Sequence, residues 1–220
     1  MKAKTRRKLE MGARALIFSR LHPDPSDGYA ALLARLEDCL TRGMQLIDQQ
    51  REGILEVRTT SARKRDLCRT LRRAHLAHLI RVARMAARDV PELGQKFVLW
   101  RGTIPYLTFQ AVAHGMAAEA ERHKSVMVKY GLADTLLKSL AQSLQQFDDA
   151  VERGNEGRRA HVGASAGLDL VADEVVRIVK AMDGLNRVRF APDSGLWASW
   201  QSASHVIATP RSAGDVRPAA

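Results

Sequence analysis

The arginines between positions 58 and 88 are the residues of this chain with the most distinctive chemistry. Ten Arg and Lys side chains lie in this stretch, and Asp66 is the one acid among them. Guanidinium groups bind phosphates and carboxylates through paired hydrogen bonds, so the stretch is typical of a surface for a polyanion. On a helical wheel the candidate contact residues spread over one side, and they are Arg65, Arg69, Arg72, Arg73, Arg84 and Arg88.

The opposite side of the same stretch is apolar. A buried seam is predicted along Leu67, Leu71, Ala74, His78, Val82 and Met85. Three interpretations of the cationic side stay open: a solvated surface, a face for an acidic protein or partner subunit, and a surface that follows nucleic-acid phosphates without reading sequence. No base-reading motif occurs, and no aromatic residue is interleaved with these arginines, which weakens the hypothesis of single-strand stacking.

A serine motif offers an alternative chemistry. The string from Gly163 to Gly167, Gly-Ala-Ser-Ala-Gly, matches the G-x-S-x-G nucleophile elbow letter for letter. That elbow needs a strand before the serine and a parallel sheet beneath it, and the sequence predicts neither. A stretch of small residues on a helix, which lets a neighbouring helix approach closely, is favoured instead.

The histidines invite a metal interpretation that the spacing does not support. His75 and His78 are three residues apart, and Glu119 precedes His123 by four. Di-metal bundles use Glu-x-x-His, and the sequence contains neither this pattern nor HExxH, CxxC or a phosphate-binding loop. No catalytic, cofactor-binding or metal-binding residue is therefore predicted, no cofactor is expected, and the chain is predicted not to be an enzyme.

Composition and periodicity predict an all-α protein. Hydrophobic residues make up 45% of the 220 positions but aromatic residues only 5%, and apolar residues recur every three or four positions. The net charge of +11 is uneven, because residues 1 to 90 hold 20 Lys and Arg against 10 Asp and Glu. This asymmetry is typical of a chain that meets a polyanion.

Helix boundaries follow from the prolines, glycines and capping residues. Two long helical stretches are predicted, over about 26 to 89 and 132 to 190, together with shorter helices over 5 to 21 and 106 to 129 and after Ser194. The first long stretch is either one continuous helix, which is favoured, or two helices hinged near Thr59, where Thr and Ser weaken it. The fold class is an antiparallel bundle of two long and several short amphipathic helices.

The domain organisation predicted from these elements has three parts. Residues 1–25 form a short N-terminal helix and turn, residues 26–205 form the helical bundle, and residues 206–220 form a disordered tail rich in Pro, Ser, Gly and Ala. Cys39 and Cys68 are predicted to be reduced thiols in a cytoplasmic protein. No membrane span and no cleaved export signal is expected.

Three stretches in the second half resemble parts of a family of uncharacterised bacterial all-helical proteins of unknown function. They are RAHVGASA at 159–166, MDGLNRVRF at 182–190 and ASWQSASHV at 198–206. The resemblance covers roughly residues 90 to 207. It implies an all-helical fold and a bacterial origin, and it carries no activity or site.

The function expected from the sequence is that of a non-enzymatic scaffold or interaction protein. Long amphipathic helices often complete their burial against a second copy, so a homo-oligomer is expected and a homodimer is favoured. The basic helix face is expected to meet an acidic partner. The alternative is a sequence-nonspecific nucleic-acid-binding protein that uses the Arg-rich helix 58–88.

Overall fold

The computed structural model describes residues 1–99, 102 and 104–207 of the chain. Every regular element in these residues is helical, and they contain no strand, so the predicted all-α class is confirmed. The predicted tail over 206–220 lies, from residue 208 onward, outside the described residues. Without a strand before Ser165, the nucleophile elbow has no scaffold in the described chain.

Most helices begin and end close to the positions predicted from the prolines, glycines and capping residues. They are α1 Ala3–Leu21, α2 Asp27–Thr70, a π-helical turn Leu71–Leu76, α3 Ala77–Ala86, α4 Leu93–Lys96, α5 Tyr106–Arg122, α6 Lys124–Lys129, α7 Asp134–Arg189 and α8 Gly195–Ser204. The chain is helical through Thr59, as the favoured interpretation has it. The helix predicted over 106–129 is instead interrupted at His123. Gly131, with φ of +95°, follows α6 at the position predicted for a stop.

The chain divides into two compact units, which are described separately. The first combines Met1–Gly53 with the chain from Arg159 onward, and the second is Ile54–Arg158. The predicted division at residues 25 and 205 stays a prediction.

In the first unit, α1 and the end of α7 pack so closely that a side chain is excluded. A Cβ atom added to Gly12 would lie 2.4 Å from Cγ1 of Val175. The α2 and α7 segments of this unit run antiparallel, since Arg35 pairs with Glu174 while Gln50 donates a 2.6 Å hydrogen bond to Ser165. Close helix packing of this kind depends on small residues at the contact.

The last helix, α8, is fixed to the first unit by its aromatic residues. Ser194 caps it by accepting a hydrogen bond from the Trp197 amide at 3.2 Å, as predicted. Trp200 is fully buried, and its indole N–H donates to Oδ1 of Asp183 at 2.9 Å. The pair Trp197 and Trp200 therefore docks a terminal helix, with Trp200 as the buried anchor.

The second unit is built by the end of α2, the π turn and α3 against α4, α5, α6 and the start of α7. The α2 and α7 segments again run antiparallel: Gly154 faces Thr60, and Ser139 and Ser143 face His75. Fully buried apolar side chains form its core, among them Leu71, Leu76, Leu79, Leu93, Phe97, Phe109, Met127, Leu140 and Phe147.

The π turn corrects the predicted seam of this helix. Ala74 and Met85, predicted as buried, are exposed, and His78 is only half-buried. Their places are taken by the next residue in each case: His75, Leu79 and Ala86 are buried. A π turn closes hydrogen bonds over five residues rather than four, as the Ala77 amide does with the Arg72 carbonyl, and so adds one residue to the helix. Every later position is displaced by one, or about 100°.

Candidate functional site

The same added residue gathers the arginines onto a narrower face. With ~100° per residue and no interruption, the six predicted contact residues span about 160° of the helix circumference. One residue added at the π turn reduces this span to about 100° and brings Arg81 onto the same face. We call this face the arginine strip, and its members are Arg65, Arg69, Arg72, Arg73, Arg81, Arg84 and Arg88.

The strip is accessible along its length. Six of its members are exposed, and Arg72 is half-buried because it donates a 2.9 Å hydrogen bond to the carbonyl of Gly102. From Arg65 to Arg88 the strip extends over roughly 35 Å, at ~1.5 Å per residue. The structure thus brings the predicted contact residues together on one side of one helix.

Eleven Lys and Arg side chains elsewhere in the described residues form ion pairs with acids. The pairs in other regions include Lys2 with Asp169, Lys8 with Asp173, Arg20 with Glu37, Arg35 with Glu174, Lys124 with Asp134 and Arg187 with Asp183. On the strip, Arg69 lies 3.3 Å from Asp66, and both side chains are well exposed. Arg65, Arg73, Arg84 and Arg88 form no ion pair with any residue of the described ranges. The strip is therefore a concentration of uncompensated charge.

An open groove runs beside the strip, and its aromatic wall was missed by the sequence analysis. The groove has a volume of about 680 Å³ and is lined by Arg65, Cys68, Arg69, Arg72, Ile104, Pro105 and Tyr106. Tyr106, the first residue of α5, is 37% exposed, and the Lys64 ammonium lies 5.4 Å from the centre of its ring. Only the fold brings this aromatic residue to the arginines, because some forty positions separate them in the chain.

The thiol in this groove is not activated. Burial raises the pKa of Cys68 above its ordinary value, and the charge of nearby Arg72 opposes that increase only in part. The thiol is therefore protonated at neutral pH, and a protonated thiol is a weak nucleophile. Cys68 contributes apolar surface to the groove wall.

His75 serves the core of the second unit. Its ring nitrogens lie 3.4 Å from Oγ of Ser139 and 3.1 Å from Oγ of Ser143, and burial lowers its pKa. A serine hydroxyl next to an imidazole is the beginning of a nucleophile and base pair. Here His75 is only 9% exposed and no cavity opens onto the pair among those described, so the contact satisfies a buried polar side chain.

The serine motif and the candidate metal ligands, which the sequence analysis did not favour, have no catalytic or metal-binding arrangement in the described residues. Ser165 is helical and its hydroxyl donates to the His161 carbonyl at 2.8 Å. A Cβ atom on Gly167 would meet the side chain of Leu46 at 3.2 Å, so the small residues allow a close helix contact. Among the described residues no group of three or more His, Cys, Asp or Glu side chains is placed to hold a metal ion.

Comparisons with protein-family models, with curated proteins and with solved structures found no match. The resemblance to a bacterial family accordingly stays a prediction. None of the helices in the described ranges combines the length and the low polarity that a membrane span requires.

Proposed function

We propose that this chain is a non-enzymatic interaction protein that binds the phosphate backbone of nucleic acids, without sequence preference, through the arginine strip. The observation that supports this proposal is the row of exposed arginines on one helix face, of which Arg65, Arg73, Arg84 and Arg88 have no carboxylate partner among the described residues. Neutralisation of phosphates releases counterions, which supplies affinity without any contact to bases.

The chemistry of the strip favours phosphates over an acidic protein. Protein interfaces usually bury an apolar centre in which a few large side chains supply most of the affinity. Among the seven arginines themselves the described structure exposes one large apolar side chain, Met85, at 46%, and the apolar groove lies to one side of the strip rather than at its centre. A phosphate backbone needs no apolar centre, and guanidinium groups bind it with paired hydrogen bonds.

The test compares two variants that lose the same charge. One changes Arg65, Arg73 and Arg84 to Gln, and the control changes Arg35, Lys124 and Arg187, which are paired with acids outside the strip, to Gln. Fluorescence anisotropy with a labelled duplex of mixed sequence gives the affinity over a range of salt concentrations. If three phosphate contacts are lost, the slope of log affinity against log salt should fall by about 2 to 3 in the strip variant only.

The other outcomes of this experiment are equally informative. Equal losses in the two variants would show that net charge, and not the strip, determines binding, and would refute the proposal. Tight binding of polyglutamate with no binding of nucleic acid would do the same, and would assign the strip to an acidic protein partner.

Self-association is a second candidate function, and an apolar groove in the first unit favours it. The groove, of about 570 Å³, lies between α1 and α2, with Ile17 59% and Met44 68% exposed on its walls. Its rim is charge-balanced, since Arg6 lies 3.5 Å from Glu10 and Arg20 lies 2.9 Å from Glu37. A second copy would meet both signs of charge there, as an isologous dimer contact requires.

Sedimentation analysis tests this dimer. Met44→Glu places a charge in the groove and should give monomers at concentrations at which the unchanged chain sediments as a dimer. Val188→Glu is the matched control, because Val188 is 90% exposed outside the groove. A monomeric unchanged chain, or a dimer that survives Met44→Glu, would refute the assignment.

A further inference from the structure

Backbone binding by the strip does not explain the groove beside it. Phosphates need only the exposed edge of the guanidinium groups, whereas the groove continues past them to the apolar surface of Ile104 and Pro105 and the ring of Tyr106. Its volume of about 680 Å³ lies within the ~300 to 1,000 Å³ that is usual for small-ligand sites. The groove thus has a cationic wall and an apolar, aromatic wall.

A ligand that fits both walls must combine an anionic part with a flat, apolar part. Arg65 and Arg69 are exposed on the cationic wall, so they can hold the anionic part. Tyr106 offers a partly exposed ring on the opposite wall. A nucleotide has this construction, with a phosphate on one side and a planar base on the other.

We propose that the groove holds one unpaired base of a single-stranded nucleic acid against Tyr106 while the adjacent phosphates lie on the arginine strip. This inference rests on the proposed function and extends it to a preference for single strands. In a duplex the bases are stacked on each other inside the helix, and no base is free to enter a groove. A single strand can turn one base outward onto an aromatic ring.

The neighbours of Tyr106 are consistent with a role of its ring in stacking a base. Its ring packs against Phe147, with 6.1 Å between ring centres, and this contact fixes the orientation of the ring. Lys64 places its ammonium 5.4 Å from the ring centre but does not line the groove, so it leaves the groove side of the ring to a base.

The test uses two labelled single strands with the same number of phosphates, one with bases and one made entirely of abasic sites. The unchanged protein should bind the strand with bases roughly 10-fold more tightly, since one stacked base contributes about that factor. Tyr106→Leu should remove this difference, and Tyr106→Phe should retain it. Trp197→Leu is the matched control, because Trp197 also carries a cation over its ring, with Arg187 at 5.8 Å, outside the groove.

A second measurement does not depend on a variant that must fold. Cys68 lines the groove, so a bound base should slow its alkylation, as measured by peptide mass spectrometry, while alkylation of Cys39 is unchanged. The abasic strand should protect neither thiol.

The results separate the two proposals. Equal and salt-dependent affinity for both strands would refute the base groove and leave backbone binding in place. A difference that survives Tyr106→Leu would also refute it. If neither strand nor the duplex binds, both proposals fail.

Discussion

The π turn between Leu71 and Leu76 adds one residue to the helix. The deletion of one residue there should therefore keep the buried face and the arginine strip each on one side of the helix before and after the turn. Ala74 is the suitable residue, because it lies within the turn and is exposed. After the deletion, ordinary α geometry would place Leu79 and Ala83 on the same buried side of the helix as Leu71. The same geometry would keep Arg81, Arg84 and Arg88 on the strip.

The cost of this deletion should be small. No apolar side chain leaves the core, and the polar contact at risk is that of His75 with Ser143, at 3.1 Å. A hydrogen bond of this kind contributes ~0.5 to 1.5 kcal/mol to the free energy of unfolding. We therefore expect a loss of at most about 1 to 2 kcal/mol, measured by urea denaturation followed by far-UV circular dichroism. Nucleic-acid affinity should change less than about 2-fold, or roughly 0.4 kcal/mol, because the arginines of the strip keep their side of the helix.

The matched control deletes an exposed alanine from a helix that has no π turn. Ala141 lies in α7 between Leu140 and Leu144, and α7 has no added residue there to absorb the loss. Its deletion rotates Leu144 and Phe147, which are 3% and 0% exposed, by about 100° away from Leu140. Removal of a Leu or Phe from a core costs about 2 to 5 kcal/mol each, so the loss should exceed about 5 kcal/mol. Equal destabilisation by the two deletions would refute the argument from register.

Three further predictions concern stability. Burial lowers the pKa of His75 below its ordinary value near 6.5, so the unfolded chain takes up a proton first as the pH falls. The free energy of unfolding should therefore be constant above about pH 7 and decrease below about 6.5. Urea titrations at about pH 8 and 5.5 measure this decrease, and His75→Gln should reduce it. Gly12→Ala forces a Cβ atom to 2.4 Å from Val175 and should cost about 1 to 3 kcal/mol, whereas Gly163→Ala meets open space on α7 and should stabilise by roughly 0.5 to 1 kcal/mol in thermal melts. Trp200→Phe removes the hydrogen bond to Asp183 and should lower the free energy of unfolding by about 1 to 3 kcal/mol; an unchanged melting temperature would contradict this role for the bond.

The helices could be predicted from the sequence because their signals are local. Pro25 and Asp27 mark the start of α2, and Ser194 has the side chain that caps α8. Apolar periodicity over long stretches then determines the helical class. The break at His123 was missed, because the apolar pattern continues across it through Val126 and Met127.

The candidate site was predictable only in part. The arginine strip was visible as a run of like charges, because all of its members lie on one helix. Tyr106 was not, because its place beside Arg65 and Arg69 depends on how α5 packs within the second unit. Nor was the π turn, since a helical wheel assumes a constant ~100° per residue and has no means of adding a residue.

The π turn affects the core and the strip together, and this connects the fold to the proposed function. Because a helix is rigid about its own axis, the residue that moves Leu79 and Ala86 into the core must also rotate Arg81 and Arg84 by the same angle. Uninterrupted α geometry would bury Met85 in place of Ala86 and spread the arginines over a side too wide for a single strand to contact at once. Single π turns persist in helices often at functional sites, where the local distortion is offset by what it positions. In this chain it places the apolar seam against the second unit's core and a row of guanidinium groups on the opposite side of the helix.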